Sequence, residues 1–211
     1  MKYLLTALLF ATSAHAETAD PLWEKVIAQS DAAKKWVAQD VDMVATARAK
    51  GEDRMFHTRG HLSGWDGNKP RYDTTMVEQK PVTGKKADAQ ISGDVFAQMA
   101  DGMIKADTPY KRRDGQVLDG KTWTVFEVDQ SQATMDFQAK IWVDPVSGGL
   151  HLVDTHMRAT LMMDLYMKTR YAPHAQAGSL PSDIDMNVDV LIPFKNAKLH
   201  IVSTNANWIA R

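Results

Sequence analysis

The sequence predicts a mainly β (α+β) fold: a curved antiparallel β-sheet of about eight or more strands, covered by two helices. The apolar residues recur with a period of about two from residue 53 onward, which indicates strands that each have one apolar face. Only two stretches have helical spacing, one long and N-terminal and one short. A β-sandwich would leave the apolar stripe of the long helix without a partner, so we expect one curved sheet wrapped over both helices.

The composition is that of one folded domain. The chain has 211 residues, of which 44% are hydrophobic and 24% charged, and it contains no low-complexity stretch. Lys and Arg total 25 against 26 for Asp and Glu, so a basic surface that attracts nucleic acid is not expected. After a removable leader at residues 1–16, we expect a single domain at residues 17–211.

The first sixteen residues have the three parts of a secretory signal peptide. Met1–Tyr3 is a short cationic start, Leu4–Ala11 is mostly apolar, and Ala14-His15-Ala16 supplies the small residues of a cleavage site. The apolar run is shorter than the roughly 20 residues of a membrane anchor, and no later segment approaches that length. We therefore expect cleavage after Ala16, a periplasmic location, and a mature chain without a transmembrane segment.

Two stretches have helical signals. Asp20-Pro21 is typical of a helix start, and apolar residues then recur at three- and four-residue intervals up to Gly51. These residues are Leu22, Val26, Ala33, Trp36, Val37, Val41, Val44 and Ala47. Ser92 or Asp94 can cap a shorter helix whose apolar side consists of Val95, Phe96, Met99, Met103 and Ile104.

Eight segments have strand signals, and Gly or Pro separates several of them. Arg54–Ser63 and Tyr72–Val82 flank a turn-rich stretch and predict a hairpin. The other six are Thr122–Asp129, Thr134–Val143, Gly149–Arg158, Thr160–Tyr171, Asp183–Ile192 and Lys198–Asn205. In Asp183–Ile192 the apolar side chains at even positions alternate with Asp183, Asp185, Asn187 and Asp189, which predicts one buried and one solvated face.

Two hairpin motifs resemble a known family. Leu118–Phe126 is a glycine turn that leads into a strand, and Ala139–Leu150 contains Trp142-Val143-Asp144-Pro145 followed by Ser147-Gly148. The second motif is similar to a hairpin of the LolA-like family of periplasmic proteins, and the order of the predicted elements is also similar. The resemblance implies an unclosed half-barrel with an apolar cavity for acyl chains. Because this chain has no cysteine, it is more similar to the soluble lipoprotein carrier than to its lipid-anchored acceptor.

The chain contains twelve methionines, several of them in the predicted sheet. Methionine is flexible and polarizable, so a surface lined by it adapts to varied apolar ligands. We expect an apolar, ligand-binding cavity lined by Met99, Met103, Met135, Phe137, Ile141, Leu161, Met163, Leu165, Met186 and Val188. The alternative is that these residues fill an irregular core.

These patterns predict a monomeric carrier or chaperone for a lipid, an acyl chain or an acylated protein, with no enzymatic activity and no cofactor. The alternative is a regulatory or interaction module of the cell envelope that binds a protein partner and has the same fold with a filled core. Asp183, Asp185 and Asp189 match a carboxylate acid/base pair by residue type, but their alternation favours a solvated face. Lys111-Arg112-Arg113 is expected to be a solvated loop, with lipid phosphate or an acidic partner as its possible ligands.

The sequence gives little support for a metal site or for a phosphate-binding loop. On a strand, His57 and His61 are about 13 Å apart, too far for one metal ion, although on a helix they would meet across a turn. Gly115–Thr122 matches the spacing of a phosphate-binding loop. Such a loop needs a strand before it and a helix after it, whereas here a polar stretch precedes it and a strand pattern follows. We therefore expect a glycine turn that opens a hairpin.

Overall fold

The structure is a computed structural model and describes residues 20–49, 52–80, 104–160, 162–191 and 197–211. In these ranges the chain forms one helix, α1 (Pro21–Ala33), and ten strands. The strands are β1 (Trp36–Ala49), β2 (Glu52–Asp66), β3 (Lys69–Lys80), β4 (Tyr110–Leu118), β5 (Lys121–Gln132), β6 (Met135–Val143), β7 (Leu150–Ala159), β8 (Met163–His174), β9 (Gly178–Val190) and β10 (Ala197–Ala210). The fold is mainly β, as predicted.

All ten strands belong to one antiparallel sheet in the order β3-β2-β1-β10-β9-β8-β7-β6-β5-β4. Two meanders, β1–β3 and β4–β10, are joined side by side because β1 pairs with β10 from Trp36 opposite Ala210 to Ala49 opposite Ala197. Among the described strands, β3 and β4 are the two edges and do not pair with each other. The sheet is therefore unclosed, and its topology is consistent with a curved half-barrel.

The start of α1 is confirmed and its predicted end is wrong. Asp20 is the N-cap, with its side chain accepting a hydrogen bond from the Leu22 N–H at 2.9 Å, and Pro21 occupies the first helical turn. The helix ends at Ala33 instead of running to Lys50, and residues 36–49 form β1.

The spacing of apolar residues in residues 36–49 fits both the two-residue period of a strand and the 3.6-residue period of a helix. Val37, Val41, Met43 and Ala45 share the odd positions of a strand, whereas Val37, Val41 and Val44 also satisfy the three- and four-residue intervals of a helix. Pairing with both β10 and β2 decides the conformation, because it satisfies the backbone hydrogen bonds of β1 on both sides.

The predicted second helix at residues 92–104 lies outside the described residues except for Ile104. Ile104 is not helical and packs, partly buried, against the core. In the described ranges, no helix is long and apolar enough to cross a membrane.

All eight predicted strands are present, with shifted ends, and β4 is an additional strand that was expected to be a polar loop. β4 lies at the edge of the sheet and is exposed over most of its length, so it has no apolar alternation to reveal it. The first hairpin turns at Gly67-Asn68, so β2 and β3 extend into the stretch predicted as a longer turn.

Helix α1 packs on one face of the sheet, near the turns of two hairpins. Its Trp23 ring lies 4.6 Å from Tyr110 and 5.1 Å from Phe126, measured between ring centroids. Gly148 and Gly178 have positive φ angles of 74° and 75° in the β6–β7 and β8–β9 turns. A Cβ atom at either glycine would lie 2.9 Å from a side-chain carbon of Lys25 or Gln29, respectively. The helix therefore fits closely against two glycine turns.

The β6–β7 turn is organised by one carboxylate. Asp144 accepts hydrogen bonds from the backbone N–H groups of Ser147 and Val146 and from the Ser147 hydroxyl, at 2.7, 3.0 and 2.9 Å. The Ser147 donors contribute most to holding the pKa of Asp144 below its ordinary value of 3.8, against the opposing effect of burial. This turn is the Asp-Pro motif that the sequence predicted to form a hairpin.

We expect Asp144→Ala to lower the free energy of unfolding by about 1–2 kcal/mol at pH 7, because three donors lose their acceptor. The folded-state pKa is depressed, so the stabilisation is present above about pH 4 and is lost as the pH falls through that pKa. Urea unfolding at several pH values measures both effects. The control Asp129→Ala, at an exposed position on β5, should change the stability by less than about 0.5 kcal/mol. A penalty for Asp144→Ala that increases towards acid pH would contradict this account.

Candidate functional site

The apolar side chains of the sheet form continuous rows across its inner face, defined here as the face on which α1 packs. The register places these residues opposite one another on successive strands. One row consists of Phe137, Met157, Leu165, Val188 and Leu199. A second consists of Val128, Ala139, Thr155, Met167, Met186, Ile201 and Ala45, in which the buried Thr155 is the one polar residue. The inner face is thus one apolar surface that runs from β5 to β1.

The seven described residues of the predicted cavity all lie on this face. Five are buried, with relative exposures of 1–3%: Phe137, Ile141, Leu165, Met186 and Val188. Met135 and Met163 are partly buried and pack against the same cluster. The other three predicted residues, Met99, Met103 and Leu161, lie outside the described residues.

Along β6 the inner-face side chains are buried except at the end furthest from α1. Val143, at the α1 end of β6, is 0% exposed, whereas Met135 at the other end of that strand is only partly buried. Beyond the end of the face, Met162 and Leu191 are 60% and 44% exposed, and the Leu191 N–H donates to the Met162 carbonyl at 2.9 Å. The face is therefore covered at the α1 end and reaches solvent at the opposite end.

The outer face of the sheet is polar, and ion pairs link neighbouring strands. On β9, Asp183, Asp185 and Asn187 are exposed while Met186 and Val188 are buried, which confirms the predicted alternation. The His200 ring lies 2.9 Å from Asp185. Burial alone would raise the pKa of Asp164, but hydrogen bonds from His156 and Arg158 outweigh it and leave the pKa below 3.8.

The histidines pair separately with carboxylates or aromatic rings. On β2, His57 lies 2.7 Å from Asp42, and His61 lies 2.6 Å from Asp40, so each ring has its own carboxylate. His151 instead stacks on Trp123 at 4.1 Å between centroids. Within the described ranges, no three His, Asp or Glu side chains are grouped so as to hold a metal ion.

The sequence analysis did not reveal a cleft of about 360 Å³ on the outer face of β1, β2, β3 and β10. Asp40, Asp42, Arg59, His61 and Asp73 line it. Asp42 accepts from Arg59 and pairs with His57, and these two contacts lower its pKa. The cleft depends on the pairing of β1 with β2, and this pairing could not be inferred while residues 36–49 were assigned to a helix.

The segment with phosphate-loop spacing, Gly115–Thr122, forms the β4–β5 hairpin and turns at Asp119-Gly120. A strand precedes it, contrary to expectation, but β5 follows where a phosphate-binding helix would be required. The neighbouring basic cluster lies on β4 and is partly neutralised: Arg112 pairs with Asp20 and Asp114, and Arg113 pairs with Glu127. The predicted glycine hairpin is confirmed.

Comparison with known proteins gives one structural match. The chain is similar to the crystal structure of a DUF1329 family protein from Desulfovibrio piger, with 13% sequence identity and a TM-score of 0.39. The match covers 90% of this chain and 91% of the other. No family model matches the chain, and no curated protein matches it.

We expect Leu165→Ala to lower the free energy of unfolding by about 2–5 kcal/mol, because it removes a buried side chain from the middle of the inner face. The control Lys168→Ala on the exposed side of the same strand should cost less than about 0.5 kcal/mol. Chemical denaturation of both variants measures the difference. Equal stabilities would show that the inner face is not packed as described.

Proposed function

We propose that the chain is a periplasmic carrier or chaperone that binds a lipid, an acyl chain or an acylated protein on the inner face of its sheet. The observation that carries this proposal is the continuous apolar surface from β5 to β1 on a sheet that does not close. A concave apolar surface with few polar groups is the usual form of a site for apolar ligands.

The dimensions of the inner face suit a long chain of methylene groups. β6 has nine residues from Met135 to Val143, and its eight steps of about 3.3 Å span about 26 Å. Met135, Met157, Met163, Met167 and Met186 lie along this surface, and their side chains can adapt to a ligand of variable shape. A ligand lying along the strands would contact several rows at once.

Phe137 and Leu165 are buried. A ligand that binds on the inner face must therefore displace the protein atoms that cover these side chains. Hydrophobic contact is non-directional and roughly proportional to area, so replacing protein atoms by ligand atoms over the same surface has a small net cost. The partly exposed end at Met135 and Met163 is where we expect this exchange to begin.

The sequence adds two supports for this proposal. The signal-peptide pattern favours export to the periplasm, where lipids and lipoproteins must cross an aqueous space to reach the outer membrane. The resemblance of the Asp144 hairpin to the LolA-like carriers suggests cargo of the same class. Trafficking of lipids or lipoproteins towards the outer membrane is therefore the role that we propose.

A second candidate is an envelope interaction module with a filled core. Its specific support is that five of the seven described cavity residues are almost completely buried. In this reading the inner face contributes only stability, and a protein partner binds elsewhere on the sheet.

Native mass spectrometry of the mature protein purified from the periplasm distinguishes the two candidates. For a carrier we expect additional masses of lipid that disappear after extraction with organic solvent, and the emptied protein should take up a fluorescent fatty acid. For a filled module we expect the bare polypeptide mass and no uptake. The second result would reject the carrier.

We expect Met163→Glu to reduce uptake of the fluorescent fatty acid at least about tenfold, because it places a carboxylate on the apolar surface. Tyr166→Glu introduces the same carboxylate on the exposed side of the same strand and should leave uptake of the fatty acid unchanged. Circular dichroism of both variants establishes that they are folded. Equal uptake by the two variants would place the binding site elsewhere.

A further inference from the structure

Two buried threonines interrupt the apolar rows of the inner face. Thr155 on β7 belongs to the second row described above, and its direct partner on β8 is Met167. A third row, nearer to α1, consists of Ile141, Val153, Thr169, Ile184, Ser203 and Met43. Thr155 is 3% exposed and Thr169 is 7% exposed, so both side chains are more than nine-tenths buried.

The two threonines are neighbours on the sheet. Thr169 follows Met167 by two positions on β8, so its side chain lies on the same face as that of Thr155. Diagonal neighbours of this kind are about 7–8 Å apart, so one oxygen atom placed between them can be close to both hydroxyl groups. We call Thr155 and Thr169 the threonine pair.

The hydroxyls of the threonine pair have no hydrogen-bond partner in the part of the chain that the structure describes. Thr124, a buried inner-face threonine of β5, shows the usual arrangement, because its hydroxyl donates to a carboxylate oxygen of Asp114 at 2.7 Å. A buried hydroxyl without such a partner loses its bonds to water and gains none in return, which is unfavourable. The unpaired side-chain atoms that are fully sealed in the described ranges, Gln29 Oε1 and His151 Nε2, do not include this pair, so both hydroxyls border space that another polar group can reach.

The surroundings of the threonine pair favour an uncharged oxygen as its ligand. The second row from Val128 to Ala45 and the third row from Ile141 to Met43 contain no Lys, Arg or His. A carboxylate or a phosphate brought to this depth would lose its hydration without meeting a positive charge, which costs far more than burying a neutral group. A carbonyl oxygen has two lone pairs and can accept one hydrogen bond from each hydroxyl. The chemistry of the pair therefore fits an ester or amide carbonyl.

We propose that the threonine pair binds the ester or amide carbonyl oxygen of an acylated ligand, with one hydrogen bond donated by each hydroxyl. This inference rests on the proposed carrier function and narrows its ligand to an acyl chain that is joined through an uncharged carbonyl. The chain then lies along the strands towards the exposed end of the face, where Met163 is six residues and about 20 Å from Thr169 on β8. A free fatty acid is ionised at pH 7, and its carboxylate stays in water at the exposed end.

Competition between two matched probes tests the carbonyl directly. Methyl palmitate and 1-methoxyhexadecane have the same chain length, and the second has a methylene group in place of the ester carbonyl. Their dissociation constants are measured by displacement of a fluorescent fatty acid from the emptied mature protein. We expect the Thr155→Val/Thr169→Val double variant to lower the preference for the ester over the ether at least about tenfold relative to the wild type, because two hydrogen bonds to the carbonyl are lost.

Urea unfolding of the emptied protein provides a second measurement. Valine has almost the same shape as threonine, so the double variant removes two unpaired hydroxyls and should unfold at the wild-type urea concentration or above it. The control Thr124→Val breaks the hydrogen bond to Asp114, so it should unfold at a lower urea concentration and keep the wild-type preference for the ester. A double variant that is less stable than the wild type and keeps the wild-type preference would show that the two hydroxyls bond within the protein, which would overturn the inference.

The failure of this inference differs from a failure of the carrier proposal. If the wild type and the double variant both take up the fluorescent fatty acid and prefer the ester equally, the carbonyl site is wrong and the carrier proposal stands. If the wild type takes up neither the fatty acid nor the two probes, the inner face is not a ligand site and both proposals are rejected.

Discussion

The pairing of β1 with β10 is the interaction on which the rest of the structure depends. It joins the three-stranded N-terminal meander to the seven-stranded C-terminal one, and its register runs without a shift from Trp36 to Ala49. Because the register is continuous, the row that contains Met186 and Ile201 continues directly into Ala45. A slip of one residue would turn the apolar positions of β1 towards solvent. The same pairing creates the outer-face cleft, whose lining comes from both meanders.

Most of the C-terminal sheet was predictable from the sequence because its strands have one solvent-exposed polar face and one apolar face. β9 shows why: an alternation such as that of Met186 and Val188 with Asp185 and Asn187 fits only a half-buried strand. β1 was not predictable, because its apolar spacing satisfies a helix and a strand equally and only the partner strands decide. β4 was missed for a different reason, since an edge strand exposed on both faces needs no apolar pattern.

The candidate site was predictable in part. Alternation placed Phe137, Leu165 and Met186 on a common face, because the side chains of a strand have a strict period of two. Alternation does not determine how much of a face is exposed to solvent. The nearly complete burial of these three residues is therefore seen only in the structure. The pairs of His57 with Asp42 and His61 with Asp40 also needed the register between strands, because the paired residues lie 15 and 21 positions apart in the chain.

The position of α1 has a consequence for biogenesis. The helix is the first described element of the chain, yet it fits against the turns at Gly148 and Gly178, and the strand that follows it pairs with the last strand. During synthesis these partners emerge long after the helix does. The helix therefore lacks these contacts until the C-terminal meander has been synthesised. Its docking is accordingly one of the late steps of folding, because the two hairpins against which it packs must form first.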